Sequence, residues 1–277
     1  MRLFDTHAHI DLPRFGTPAE QRSAGFRARS AGIAAILIPG IEPGTWSALL
    51  GAANALRANV PDVCFHTALG VHPQVVGDLP AKIDQDLAQR LSVAIDGVAG
   101  LVAIGECGLD FGRDLPPPGP AREAARARQL AVLDAHLEVA RRTGLPLLLH
   151  CVRAHAALLE RLLAAPTPPS ILHSFSGSPE VADALCRAGH YISFAGALTI
   201  PGARRPRAAA AAVPEARLLV ETDSPDQTPF ARRPERNEPA FLVDVVAALA
   251  EVRGCPVEAI AEVTTANACR VLGVQLP

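Results

Sequence analysis

The stretch FDTHAHIDL at residues 4–12 places two histidines, His7 and His9, two positions apart just after an apolar start. In a helix, residues two apart point away from each other, whereas in a strand they share a face with Cα atoms about 6.5–7 Å apart. Two imidazoles on one strand face can bind one metal ion. Because short motifs have many false matches, the alternative is a pair of ordinary histidines. The rest of the chain must decide between these interpretations.

Apolar segments of strand length recur along the chain, with amphipathic stretches between them. The clearest helix is predicted at 121–143, where apolar residues keep helical spacing and Gly144 follows as a stop signal. Eight strands alternating with helices are typical of an α/β fold of the (β/α)8 TIM-barrel type, so we predict one barrel domain over residues 1–277. A doubly wound open sheet is the alternative. The predicted strands are 2–6, 33–38, 63–69, 101–105, 146–149, 170–172, 190–194 and 217–221.

The composition indicates a globular protein without a strong electrostatic preference for any partner. Hydrophobic residues form 49% of the chain, and the formal net charge is only −2. This near-neutral balance does not indicate nucleic-acid binding, but it does not exclude a locally basic groove. The six cysteines form no C-x-x-C pair, and no apolar stretch approaches the ~18–20 residues that span a bilayer. We therefore expect reduced thiols, no membrane association and a cytoplasmic location.

Metal-binding residue types occur where the predicted strands end. In a parallel barrel these carboxyl ends meet at one rim, and the active site is built there. Ordinary histidines and carboxylates would have no reason to follow this rule, so we predict a metal site at the C-terminal rim. The six residues are His7 and His9 at the end of the first strand, Glu106 after the fourth, His150 at the end of the fifth, His173 at the end of the sixth and Asp223 at the end of the eighth.

Four imidazoles and two carboxylates are too many ligands for one ion that also holds water and substrate, so they suit two divalent ions. The bridge between the ions is expected to be the carboxylate of Glu106, because Lys82, the only lysine, lies away from every predicted strand end. The expected ligands are His7, His9 and Asp223 for one ion and His150 and His173 for the other.

This arrangement predicts hydrolysis without a covalent intermediate. A water between two cations loses its proton readily and becomes a nucleophile. Asp223 is placed to accept that proton and to pass it to the leaving group. No serine nucleophile is required, and the G-x-S-x-G motif is absent.

Weaker signals indicate substrate contacts around the same rim. His72 follows the third strand and is a candidate for substrate or a further metal, with a structural role as the alternative. Arg153, His155 and Phe175 are further candidates for substrate binding. His66 and His136 fall inside predicted elements and are expected to be packed. A phosphate-binding rim, or merely a solvated one, is predicted from the arginines of the loops after strands 7 and 8, namely Arg204, Arg205, Arg207, Arg232, Arg233 and Arg236.

Seven ordered blocks of the sequence resemble the TatD family of metal-dependent deoxyribonucleases, within the wider amidohydrolase group. The resemblance runs from residue 4 to the TTANACRVL stretch near the end. It implies a (β/α)8 barrel with a divalent-metal site formed by the six residues above. It also implies degradation of DNA from the 3′ end, with single-stranded DNA as the partner. The blocks are FDTHAHID, GVHP, IGECGLDF, PLLLHCVRAH, LHSFSG, ETDSP and RRPERNEP.

The chain departs from the family pattern at positions around the site. Val152 stands where many members have an arginine, and Arg153 follows one place later. Gln74 stands where histidine is common, and Cys107 replaces the usual isoleucine. We therefore expect the substrate-binding residues to differ from the family pattern more than the metal ligands do.

Three functions are consistent with this sequence. The first is a 3′–5′ exodeoxyribonuclease, because paired ions suit the displacement at a phosphodiester. The second is a hydrolase of a small ester, lactone or amide, and the third is a metal-binding scaffold without catalysis. Four histidines suit zinc-like ions, whereas the resemblance implies magnesium. We expect a zinc-like ion as purified, and stimulation by Mg²⁺ or Mn²⁺. No obligate protein partner is evident.

Overall fold

Strands and helices alternate along the whole chain in the computed structural model, which describes residues 1–80, 82–112 and 114–276. Ala81, Arg113 and Pro277 of the predicted domain lie outside the described residues. The strands are β1 Leu3–Asp5, β2 Ile33–Pro39, β3 Cys64–Leu69, β4 Leu101–Asp110, β5 Leu147–Val152, β6 Ile171–Leu172, β7 Tyr191–Phe194 and β8 Leu218–Val220. The helices are α1 Pro18–Ser30, α2 Trp46–Asn59, α3 Lys82–Ile95, α4 Pro120–Thr143, α5 His155–Leu163, α6 Pro179–Arg187, α7 Arg204–Ala212, α8 Leu242–Arg253 and α9 Val257–Leu272.

The strands pair in sequence order, each parallel to the next, from β1 to β8. The sheet curls so that its first and last strands meet. The backbone N–H of Thr6 donates to the Val220 carbonyl over 3.3 Å, and Ala8 forms a parallel bridge with Ser224. Each strand is followed by helical structure. The predicted (β/α)8 barrel is confirmed, and the doubly wound alternative is wrong because an open sheet would leave β1 and β8 apart.

Local sequence signals set the ends of the helices that surround the barrel. Thr17 and Glu20 form a reciprocal capping box at the start of α1, with Pro18 as its first residue. Helix α4 confirms the prediction at 121–143, and it ends at Gly144 in the left-handed conformation that glycine adopts without steric cost.

Two apolar layers hold the barrel together. The larger one lies between the strands and the surrounding helices, and buries residues such as Ile36 and Leu147. The smaller one includes Phe4 and Leu37 together with residues of α9. The six cysteines are free, as predicted. Among the helices of the described residues, none has the length and apolar character needed to cross a membrane.

Several details of the predicted elements were wrong. His7 and His9 do not lie on the first strand, because β1 ends at Asp5 and both histidines follow it. Glu106 does not follow the fourth strand but lies inside β4, which continues to Asp110. His150 lies inside β5, two residues before its end. Arg205 and its neighbours Arg204 and Arg207 belong to helix α7 rather than to a loop. In β4 the extension is possible because the strand shifts its register between Ile104 and Cys107, which an apolar pattern does not reveal.

Candidate metal centre

The carboxylate of Glu106 lies at the centre of a cluster of histidines. The residue is only 2% exposed. Its Oε2 faces the first strand, 3.2 Å from His7 Nε2 and 3.4 Å from His9 Nε2. Asp223 closes this side, with Oδ1 3.5 Å from His7 Nε2. The three residues predicted for one ion are therefore together.

The other oxygen of Glu106 faces a second group of histidines. Its Oε1 lies 2.8 Å from His173 Nε2 and 3.2 Å from His150 Nδ1. His72 Nε2 lies 3.0 Å from the same oxygen. The two oxygens thus contact separate groups of imidazoles, which is the arrangement expected of a bridging carboxylate. The structure places His72 in this cluster, so it is a candidate ligand as well as a predicted substrate contact.

A close approach of two strands fixes the position of Glu106. Gly70, directly after β3, lies so near Gly105 that an added Cβ would come within 2.5 Å of the Gly105 Cα. The backbone N–H of Glu106 donates to the Gly40 carbonyl over 2.9 Å. A side chain at position 70 would push β4 away and displace the carboxylate from the histidines.

Two further carboxylates orient the histidines from behind. Glu221 Oε1 lies 3.2 Å from His173 Nδ1 and also accepts from the Ser174 N–H. Asp110 Oδ2 lies 3.3 Å from His150 Nε2. Such contacts fix which ring nitrogen carries the proton and leave the other free for a metal. Neither residue was predicted from the sequence, although each is a carboxylate at an otherwise apolar strand, within GLDF and ETDSP.

A third missed carboxylate, Asp5, braces the backbone of the site. It accepts hydrogen bonds from Thr222 N and Oγ1 over 2.9 and 2.6 Å, which join the ends of β1 and β8. Burial raises the pKa of Asp5 to about 8, against the lowering effect of these bonds.

The cluster is strongly coupled electrostatically. Burial lowers the pKa of His173, but Glu106 and Glu221 outweigh it and raise the pKa well above the ordinary value. In His9 and His150 the same opposition also ends in a raised pKa, with Glu106 acting on both rings. Burial would raise the pKa of Glu106, yet the surrounding imidazoles hold it well below its usual range.

The donor set fits divalent cations. The Nε2 atoms of His7 and His9 lie 3.0 Å apart, as do His150 Nδ1 and His173 Nε2. Ring nitrogens that converge in this way can share a cation through their lone pairs. Within the described part of the chain, three groups bring possible ligand atoms within 4.8 Å of one another, namely His7–His9–Asp223, His7–His173–Glu221 and His72–Glu106–His150.

A cleft of about 760 Å³ opens beside the cluster. Arg153 and His155 line it as predicted. Phe175 also lines it but is only 5% exposed, and its ring packs edge-on against His155 at 5.5 Å. It therefore offers little free surface for stacking on a base. On the cluster side the cleft is lined by His150, His173 and Asp223.

The rim arginines are divided between two roles. Arg205 lines the cleft. Arg207 pairs with Glu251, and Arg232 donates to Asp244 over 2.8 Å. Arg236 donates to the Phe15 carbonyl. Of the six predicted rim arginines, only Arg205 lines the cleft.

Gln74, one of the departures from the family pattern, takes part in the support of the cluster. Its Nε2 donates to Asp110 Oδ2 over 2.9 Å, and the same oxygen faces His150 Nε2. Val152, another of the departures, lines the cleft.

A parallel barrel with a histidine–carboxylate cluster at the carboxyl ends of its strands defines the class of metal-dependent hydrolase barrels. Residues 4–273 match the family described as TatD related DNase, and the chain belongs to this family. It is a metal-dependent hydrolase of the TatD type.

The relatives match nearly the whole length of the chain. YjjV of Escherichia coli K12, described as an uncharacterized metal-dependent hydrolase, is 33% identical over 275 residues, covering 99% of this chain and 98% of its own. TatD of Dickeya dadantii, described as a 3′–5′ ssDNA/RNA exonuclease, is 34% identical, and 97% of each chain is covered. The crystal structure of YjjV superposes with a TM-score of 0.85 at 31% identity, covering 99% of both chains.

Proposed function

We propose that this protein is a divalent-metal-dependent 3′–5′ exonuclease that hydrolyses phosphodiester bonds of single-stranded DNA. The observation that carries the proposal is Glu106, a buried carboxylate whose two oxygens contact separate groups of imidazoles. Divalent ions held by these residues would suit displacement at phosphorus, because they would stabilise charge on the attacking and leaving oxygens. Relatives described as 3′–5′ ssDNA/RNA exonucleases support the same substrate class.

The proposed centre uses the predicted ligands, with His72 as an addition. Divalent ions bound there would polarise the phosphoryl group and make a water molecule more acidic. Mg²⁺ or Mn²⁺ is expected to support activity, and Zn²⁺ is expected as a bound ion. The proposed ligands are His7, His9, Glu106, His150, His173 and Asp223. We also propose that residues 1–277 form a single domain and that the protein is cytoplasmic.

Asp223 is the proposed proton carrier. Its Oδ1 faces the cluster, and its Oδ2 accepts a hydrogen bond from Gln227 Nε2 over 2.6 Å. The residue also lines the cleft, so its carboxylate touches both the cluster and the space for substrate. A carboxylate in this place can take a proton from water and return it to the leaving 3′-oxygen.

The test is a time course on single-stranded DNA labelled at its 3′ or its 5′ end, with added Mg²⁺ or Mn²⁺. The wild type should shorten the DNA stepwise from the 3′ end. Glu106→Ala, purified identically, should lose metal and activity, by at least about 1,000-fold in rate, because several kcal/mol of metal-dependent stabilisation disappear. Glu123→Ala is the matched control, since Glu123 is exposed in the first turn of α4.

Hydrolysis of a small ester, lactone or amide is the second candidate. One wall of the cleft is apolar, formed by Phe194, Ala195, Ala197 and Leu198. A folded, metal-loaded wild type that leaves DNA and RNA intact would contradict the exonuclease. Turnover of a member of a lactone and amide panel, dependent on Glu106, would then support this second function.

A further inference from the structure

The cleft beside the cluster contains two arginines without protein partners. Arg153 directly follows β5, and Arg205 is the second residue of α7. Both line the cleft, which His173 and Asp223 line as well. Within the described part of the chain, neither guanidinium has a hydrogen bond or a carboxylate partner. Two unpaired cations at one cleft indicate an anionic ligand.

Neighbouring arginines behave differently. Arg207, two residues along the same helix, pairs with Glu251, and Arg233 donates to the Thr228 carbonyl over 3.1 Å. Arg204 is exposed but does not line the cleft. The unpaired arginines of the cleft are therefore not simply a property of the whole basic surface.

An anion bound by these arginines would be a different group from the one at the metal cluster. Bound cations would match the charge of the scissile phosphate there. The cleft, at about 760 Å³, is in the size range of pockets that hold a drug-sized ligand, so it has room for further parts of a substrate. In a strand that is shortened from its 3′ end, the nearest further anion is the phosphate on the 5′ side of the scissile linkage.

His155 adds a neutral polar group to the same place. Burial lowers the pKa of His155, and the positive charge of Arg205 lowers it further, so the ring stays uncharged near pH 7. Its Nε2 is buried without a hydrogen-bond partner among the described residues. A ligand oxygen could satisfy this nitrogen.

We propose that Arg205, with Arg153, forms a subsite for the phosphate on the 5′ side of the scissile phosphodiester. This inference rests on the proposed exonuclease function and deepens it. The planar guanidinium of Arg205 can bind two phosphate oxygens at once. Arg205 would supply a phosphate contact that Val152, which stands where many family members have an arginine, cannot make.

The experiment compares two dinucleotides that differ in one phosphate. Thymidylyl-thymidine, TpT, has only the scissile linkage, whereas pTpT also carries a 5′-phosphate at the position of the next linkage. The wild type should prefer pTpT in kcat/KM by about 10- to 100-fold, the size of a charge-assisted contact. In Arg205→Ala the preference should fall to about 1. Arg205→Lys should keep part of this preference, because lysine keeps the positive charge but loses the paired N–H donors of the guanidinium.

Arg204→Ala is the matched control, because it removes one positive charge from the same helix outside the cleft. It should keep the wild-type preference. If Arg205→Ala also kept the preference, or if Arg204→Ala lost it equally, the subsite would be disproved. The second result would mean that net charge alone attracts the substrate.

A binding measurement separates this inference from the exonuclease proposal. Dinucleotides with a methylphosphonate linkage, with and without the 5′-phosphate, are titrated calorimetrically into the metal-loaded protein. Tighter binding of the phosphorylated form that Arg205→Ala abolishes would support the subsite even if DNA is not cleaved. Equal binding of both forms by the wild type would overturn it. Competition by inorganic phosphate then shows whether free phosphate occupies the subsite as well.

Discussion

Two sets of histidines in this protein have opposite electrostatic environments. At the rim, His9, His150 and His173 have raised pKa values, because nearby carboxylates outweigh the effect of burial. His136 in α4 and His190 directly before β7 lie outside the rim cluster, and we call them the frame histidines. Burial lowers the pKa of each to about 4. All of these residues are largely buried histidines, so the difference in their pKa values comes from the groups around them.

The hydrogen-bond partners of the frame histidines are backbone groups. His136 Nδ1 lies 2.7 Å from the Val132 carbonyl, and its Nε2 accepts from Val71 N over 3.0 Å. His190 Nδ1 accepts from Ser170 N over 3.3 Å. A neutral ring satisfies these contacts fully. Buried histidines therefore brace the barrel where backbone surrounds them, and they can bind cations where carboxylates surround them.

The largest effect is expected from removing a charge at the rim. Asp223→Asn should lower kcat by about 100- to 1,000-fold, because an amide cannot carry the proton. Metal content, measured by mass spectrometry, should be retained at least in part through the histidines. Asp226→Asn, at the exposed partner of Arg14, is the control. Unchanged activity and metal content in Asp223→Asn would exclude Asp223 from the chemistry.

A smaller effect is expected from the carboxylates behind the rings. Glu221→Gln keeps an acceptor for His173 Nδ1 but loses its charge, so metal affinity should fall about 10- to 100-fold. Calorimetric titration with Zn²⁺ or Mn²⁺ measures this effect. The exposed Glu215→Gln should bind metal as the wild type does. Equal metal affinity in both variants would mean that the charge of Glu221 does not contribute to the difference between the rim histidines and the frame histidines.

Gln74 should have a milder influence, because it acts through Asp110. Gln74→Ala removes the amide that donates to Asp110 Oδ2, and should weaken metal binding by about 2- to 10-fold, the size of one hydrogen bond. The same titration applies, with the exposed Gln89→Ala as the control. A double variant with Asp110→Asn should be no worse than Asp110→Asn alone. Additive losses would show that Gln74 acts by another route.

The frame histidines predict a pH dependence of stability. With a folded pKa of about 4 and an ordinary value near 6.5, His190 stays neutral in the fold while the unfolded chain takes up a proton. Its contribution is therefore complete above pH 6.5 and is lost as the pH falls towards 4, by up to about 1.4 kcal/mol per pH unit.

Urea unfolding of the wild type and His190→Gln between pH 5 and 7 measures this contribution. The stability advantage of the wild type should shrink as the pH falls. An advantage that is constant across this range would show that the ring is not held neutral, and would remove the contrast with the rim.

The sequence by itself determined the barrel, the helix over 121–143 and the six rim residues, Glu106 among them, that come together in one cluster. Strand identity and the carboxyl ends of parallel strands follow from local apolar patterns, and a barrel brings all such ends to one rim. The packing of His136 was also predictable, because it lies inside an apolar helix face.

Only the tertiary structure decided which side chains face one another across the rim. Asp110 lies against His150, Glu221 lies against His173, and His72 joins Glu106. Of the six predicted rim arginines, only Arg205 lines the cleft. These contacts join strands that are far apart in the sequence. They depend on the register shift in β4 and on the closure of β1 against β8, which no local pattern encodes.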